Sequence, residues 1–354
     1  MLDFHQTAEQ ALDQAAQLLA IDSPSGYTAQ AAEYVLDAFR ALGLAPSLTR
    51  KGGVLVCLNP DAPEEDALLL ESHADTLGGM VTEISAAGRL HLTRLGGLNP
   101  NNTEAENVRI VTRGGKIYTG TFQLKNASIH VNGDYSATKR DYGVMEVVID
   151  EEVHSRGDVE KLGIQPGDIV CFDPRTVITP SGFIKSRFLD DKLSVAILLA
   201  LAGQVVRGEV RPRRRVWCHV TVFEEVGHGG AASVPAGVTE AISVDMGCVG
   251  DGLGCDEYKV SICAKDSGGP YHYQVVSDLI DAAKRGGADY AVDVYPHYGS
   301  DVEATLSAGH DLRHGLIGPG VYASHGYERS HRKGVEATLR LLAAYVDPAC
   351  FSAS

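Results

Sequence analysis

Residues 67–75 read Ala-Leu-Leu-Leu-Glu-Ser-His-Ala-Asp, an apolar run that ends in an acid, a histidine and a second acid. A short continuous run of this kind, without the alternation of a half-exposed strand, suits a strand covered by helices on both faces of a sheet. The text around it agrees. Thr7 to Leu19 repeats Ala and Leu at helical spacing, and Asp22-Ser23-Pro24-Ser25-Gly26 then breaks the chain. Thr28 to Leu42 resumes the helical period, with Gly43 where a left-handed terminus belongs. Gly53 to Leu58 predicts a strand just before the opening run. Later, Leu193 to Val206, Tyr273 to Lys284 and His331 to Tyr345 predict helices, while Arg215 to Phe223 and Ala241 to Val244 predict strands. The expected fold class is α/β, a mixed sheet sandwiched by helices.

The texture changes between Gly79 and Val177. Helical periodicity nearly vanishes, and β-type stretches such as Val108 to Thr112, Lys116 to Leu124, Val144 to Ile149 and Asp168 to Phe172 are separated by Gly, Asn and Asp. An all-β insertion at 79–177, inside a catalytic body made of 1–78 and 178–354, fits this pattern better than two domains in sequence.

The 354 residues are 44% hydrophobic and 22% charged, enough apolar matter for a large core and too little charge for a disordered chain. A net charge of -15 disfavours nucleic acid and anionic membrane surfaces as partners. No transmembrane span or secretory leader is legible. Seven scattered cysteines without a C-x-x-C pair read as reduced thiols, and a cytoplasmic location is expected.

Ionisable residues cluster where strands should end. His73 and Asp75 follow the run at 67–71, Glu224 and Glu225 follow the strand ending at Phe223, and Asp245 follows Ala241 to Val244. Ligands gather outside the carboxyl ends of strands in an open α/β sheet, so three strands deliver acids or imidazole to one place. Singly, each has a plainer reading: a hydrogen-bonded His, a solvated acid pair, a helix N-cap at Asp190-Asp191. A cap accounts for one aspartate there and not for both. Asp75 can orient a ligating His73. With His325, the set is His73, Asp190, Glu225, Asp245 and His325. Imidazole and carboxylate suit Zn, Co or Mn. Five protein ligands exceed those of one catalytic zinc and match two divalent ions sharing a carboxylate. His228 in its Gly-rich turn, and His130, His154, His297, His310 and His314, read as surface or structural, and Glu151-Glu152 as a solvated turn.

The ordered set His73-x-Asp75, Leu189-Asp190-Asp191, Glu224-Glu225-Val226-Gly227, Val244-Asp245 and His325 resembles metallopeptidase family 42, the TET-type and glutamyl aminopeptidases. The similarity extends to Ser23-Pro24-Ser25-Gly26, the β insertion and Gly299-Ser300-Asp301. It implies a zinc-aminopeptidase-like fold with an inserted β-barrel or PDZ-like domain serving oligomerisation and substrate access. It further implies that His73 and Asp245 hold one metal, Glu225 and His325 the other, and Asp190 bridges both, with a cis peptide at Asp190-Asp191. Metal-bound water would be the nucleophile in peptide hydrolysis, Glu224 its general base, and Asp75 the residue steering His73. Copies would assemble as dimers and then as a tetrahedral dodecamer acting on short peptides.

Three departures from the family pattern lie near the expected substrate: Thr76 in place of Glu, His228-Gly229-Gly230 after Glu-Glu-Val-Gly, and Tyr322 to Tyr327 around His325. A subset similar in these segments is linked to an acetylated glutaminyl-glutamine amide osmolyte, which leaves an amidohydrolase or deacylase of a blocked dipeptide amide as an alternative. Related deacylases and carboxypeptidases place their extra domain later in the chain. A non-catalytic metal-binding scaffold is the reading from another class, and it would have no use for the spare base Glu224.

Overall fold

A computed structural model describes residues 2–351 of the chain. Two compact units emerge, one from the residues up to Asp75 together with those from Arg175 onward, the other Thr76–Pro174. The boundaries fall three residues before those expected at 79 and 177.

The first unit opens with helices α1 (Phe4–Leu19) and α2 (Ala29–Ala41) and strands β1 (Ser47–Leu48), β2 (Val54–Cys57) and β3 (Ala67–His73). The Asp3 carboxylate caps α1 by accepting from the Gln6 N–H at 2.9 Å. Every residue of β3 is buried, as its unbroken apolar run requires. The strand runs through His73 instead of stopping near Glu71, so His73 is the last strand residue.

In the second unit, β4 (Gly78–Ile84), β5 (Leu90–Leu95), β6 (Glu106–Val111), β7 (Ile117–Leu124), β8 (Met145–Ile149) and β9 (Ile169–Phe172) close a barrel in the order β4-β5-β8-β7-β6-β9. Alternation supplies its interior: Met145, Val147 and Ile149 are buried, with partly exposed residues between them. Phe122 and Phe172 meet edge to face inside, 5.5 Å between centroids. The insertion is not wholly β. Helix α3 (Arg156–Leu162) starts at Ser155, whose hydroxyl accepts from the Asp158 N–H, and stops at Gly163, φ 88°. Its seven residues are too few to show a helical period in the sequence.

The first unit resumes with β10 (Val177–Ile178), β11 (Phe183–Ser186), α4 (Leu189–Val206), β12 (Val216–Thr221), β13 (Val238–Val244), β14 (Gly247–Val249), β15 (Val260–Lys265), α5 (Tyr273–Gly286), β16 (Tyr290–Val294), α6 (Asp301–Ser307), β17 (Arg313–Tyr322), β18 (Glu328–His331) and α7 (Arg332–Val346). Its sheet runs β1-β2-β12-β3-β13-β17-β18-β11-β10, with β14 and β15 joined to β17 and β16 to β15. Strands β12, β3, β13 and β17 are mutually parallel, so their carboxyl ends share one edge. Helix α4 is buried from Leu189 to Gln204 and packs on β3, as does the shorter α6.

Strand β17 defies its sequence. Gly315, Gly318, Pro319 and Gly320 are turn residues, yet Leu316 to Val321 is a buried strand. A Cβ at Gly318 would meet the Asp245 carbonyl, and one at Gly320 the Asp256 carbonyl. The glycines allow close backbone approach in mid-strand.

Leu69 at the centre of β3 is fully buried. A Leu69→Ala variant should lose about 3 kcal/mol of unfolding free energy in urea titration, through lost transfer and a residual cavity. A loss under about 1 kcal/mol would contradict the close packing of this strand.

Candidate active site

Four parallel strands bring the acids and imidazoles together. β3 ends at His73, β12 leads into Glu224 and Glu225, β13 into Asp245, and β17 into His325. Asp190 arrives from the start of α4. That start is irregular: Phe188 is the cap residue at φ 69°, and Asp190 and Asp191 have non-helical backbone angles. Neither aspartate occupies the cap position, and the bond between them is cis.

Asp190 lies at the centre. Its Oδ1 is 3.1 Å from His73 Nε2 and its Oδ2 is 3.4 Å from His325 Nε2. Two groups of donor atoms result, His73 with Asp190 and Asp245, and Asp190 with Glu225 and His325, each with its atoms within 4.8 Å of one another. All five residues read from the sequence are thus convergent. Glu224, read as the base, places its Oε2 3.6 Å from His73 Nε2.

Asp75 differs in detail from the expectation. The His73 Nδ1 is 2.9 Å from the Asp75 carbonyl oxygen, while the nearer carboxylate oxygen is 3.6 Å away. The Asp75 carboxylate accepts instead from the Glu224 N–H at 3.1 Å and the Ser25 hydroxyl at 2.5 Å. One residue therefore orients His73 with its backbone and ties down Glu224 with its side chain.

The turn carrying Glu224 and Glu225 is fixed from behind. Phe223 takes φ 121°, and Gly230 N–H donates to the Asp301 carboxylate at 2.6 Å. Thr221 Oγ1 also donates to Asp301, and Lys51 Nζ donates to the carbonyls of His228 and Gly229. A Cβ at Gly229 would strike the Asp301 carboxylate, which accounts for Gly229-Gly230 in this turn. His228 stacks on Phe223 at 5.0 Å and does not line the cavity.

Sequence reading missed Glu328, and the part Asp191 plays, in holding these side chains in place. Buried Glu328 accepts from the Asp190 N–H at 3.1 Å with one oxygen and from the His325 N–H at 2.9 Å with the other. Asp191 accepts from Ser72 Oγ at 2.6 Å and from the His73 N–H at 3.3 Å. Backbone partners leave no motif, so nothing local marks Glu328. His297, read as surface or structural, is exposed and lines the cavity beside the site, a space of about 810 Å³.

The electrostatics are one-sided. Burial first, then neighbouring acids, push Glu224 and Glu225 well above the usual carboxylate range, and burial with Asp190 takes Asp245 up to about 6. Burial also presses on Asp190, but His325 and His73 hold it below its ordinary value. Glu225 Oε1 is buried and accepts no hydrogen bond from the described residues. Such an orphaned oxygen, among acids that burial alone would protonate, fits a cation. The donor set is of the hard and borderline kind that divalent zinc, cobalt or manganese takes.

The chain is similar to known proteins in sequence and in fold. The M42 glutamyl aminopeptidase family matches residues 52–341. "Putative aminopeptidase YhfE" of Bacillus subtilis (strain 168) is 44% identical over 330 residues, 93% of this chain and 95% of that protein. The structure of aminopeptidase APDkam598 from the archaeon Desulfurococcus kamchatkensis superposes with a TM-score of 0.84 at 20% identity, covering 97% of this chain and 96% of that one. A TET1 peptidase of Pyrococcus horikoshii, described as assembling into a tetrahedron or a large octahedral shell, gives 0.82 at 20% identity over 95% and 99%. These two show the same fold. By the extent of the family match and the identity to its Bacillus relative, the chain belongs to the M42 glutamyl aminopeptidase family.

Proposed function

We propose that this enzyme hydrolyses the amide bond of short peptides with two divalent cations seated on either side of Asp190. The observation that carries the reading is the division of the Asp190 carboxylate between two donor groups, one oxygen toward His73 and the other toward His325. His73 and Asp245 complete one seat, and Glu225 and His325 the other. Bound there, the cations would polarise a scissile carbonyl and lower the pKa of water.

The chain's own residues supply the rest. Glu224 takes the proton of the attacking water and passes it to the leaving nitrogen. Its backbone anchor on Asp75 keeps that carboxylate facing the site. A base so placed contributes typically about 10²–10⁴-fold. Glu328 fixes the backbone of one ligand of each seat at once. The inserted barrel would mediate assembly into a shell like that named for the Pyrococcus relative.

Loaded with Zn, Co or Mn, Glu224→Gln should keep its metal content by elemental analysis and lose roughly 10³-fold in kcat on a free-amine dipeptide. Unchanged turnover would contradict the base assignment. Glu328→Gln turns an amide toward two N–H donors, and metal affinity by competitive chelation should weaken roughly 10–100-fold. Equal affinity in the two proteins would deny Glu328 a positioning role. Light scattering should give a mass many times that of one chain, and a monomer would exclude the shell.

A further inference from the structure

The cavity beside the site has an acid that the proposed chemistry does not use. Glu303, in the first turn of α6, lines it together with Ser300, His297 and Ser307. Behind Glu303 stands Asp266, fully buried. Asp266 is rigidly held: one oxygen accepts from the Gly268 N–H at 3.0 Å and the other from the Tyr271 hydroxyl at 2.5 Å, with that hydroxyl 3.1 Å from Ser300 Oγ. The Glu303 carboxyl lies within electrostatic reach of the Asp266 carboxylate. A Cβ at Gly268 would occupy the place of the Glu303 carboxyl, so a glycine in that turn makes the seat. Among the described residues, no lysine, arginine or histidine forms an ion pair with Glu303 or Asp266.

Glu303 and Asp266 stand outside both donor groups of the proposed centre, so cations held there would leave this pair of acids on the cavity wall without a counter-charge of its own. Burial, then the neighbouring Asp266 carboxylate, push Glu303 up to about 7. A half-buried acid in this condition is relieved by a positive charge brought to it.

We propose that Glu303, backed by Asp266, selects a cationic group of the substrate, an ammonium or a guanidinium, at the wall of the active-site cavity. The inference rests on reading that cavity as the peptidase site. The cation could be the side chain of a basic residue or the substrate's α-ammonium. An acidic side chain in the same place would be repelled.

The test uses metal-loaded enzyme with p-nitroanilides of Lys, Arg, Leu, Gln and Glu, and with acetyl-Lys p-nitroanilide. If the side chain is the cation, the wild type prefers Lys and Arg to Leu by roughly tenfold in kcat/KM, and Glu303→Gln abolishes the preference while Leu changes little. If the α-ammonium is the cation, Glu303→Gln lowers all free-amine substrates alike and leaves the acetylated one unaffected. Glu303→Lys should favour the Glu substrate in the first case. Titration calorimetry with lysinamide and norleucinamide, run in the metal-loaded Glu224→Gln background where hydrolysis is slowed, reads the same contact apart from turnover. Glu303→Gln should weaken lysinamide roughly tenfold, and norleucinamide equally only if the α-ammonium is bound. Melting curves of the variants establish that they fold. If Glu303→Gln leaves every substrate and both amides unchanged, the proposal is overturned. A wild type that hydrolyses none of these amides with any metal counts against the peptidase reading, while the calorimetric comparison still decides the role of Glu303.

Discussion

Much of the first unit is arranged around a surplus of buried negative charge. Asp190, Glu224, Glu225 and Asp245 converge at the carboxyl edge of four parallel strands, and His73 and His325 are the basic side chains ion-paired with them among the described residues. Ionised carboxylates withdrawn from water at this density are costly unless protonated or matched by cations. The raised proton affinities of Glu224, Glu225 and Asp245 express that cost, while the two histidines hold Asp190 low. On the proposed reading, a pair of dications would answer the same demand and leave these acids ionised.

The surrounding structure keeps this charge in place through backbone contacts. Glu328 grips the N–H groups of Asp190 and His325, Asp191 that of His73, Asp75 that of Glu224, and Asp301 that of Gly230. Each acid thereby positions a neighbouring segment and leaves the side chains of the central residues free for a ligand. Residues in uncommon backbone regions, Phe223 at φ 121° and His325 at φ 60°, sit in the turns so clamped. Positive φ at non-glycine residues persists where surrounding contacts over-determine it, and these turns have such contacts.

Legibility in the sequence followed the physics of each element. The run at 67–73 announced a buried strand because nothing but burial on two faces explains four consecutive apolar residues ending in acid and imidazole. The convergence of His73, Glu225 and Asp245 followed from strand ends alone, Asp190 from an acid pair that a helix cap only half explains, and His325 joined the set on residue type, its seat and that of Asp190 being assigned by the resemblance. Strand β17 was hidden because its glycines serve close packing against the backbone at Asp245 and Asp256, and local rules take glycine for a turn. Helix α3 was too short to set up a period. Glu328 was hidden for another reason: its partners include a backbone N–H far along the chain, at Asp190, and such a contact imposes no pattern on the residues between.

The central claim is that Asp190 is shared by two cations. Crystals grown with zinc and measured on both sides of the zinc absorption edge should show two anomalous peaks roughly 3.5–4 Å apart, one on each side of the Asp190 carboxylate. A single peak, or peaks away from His73 and His325, would contradict it.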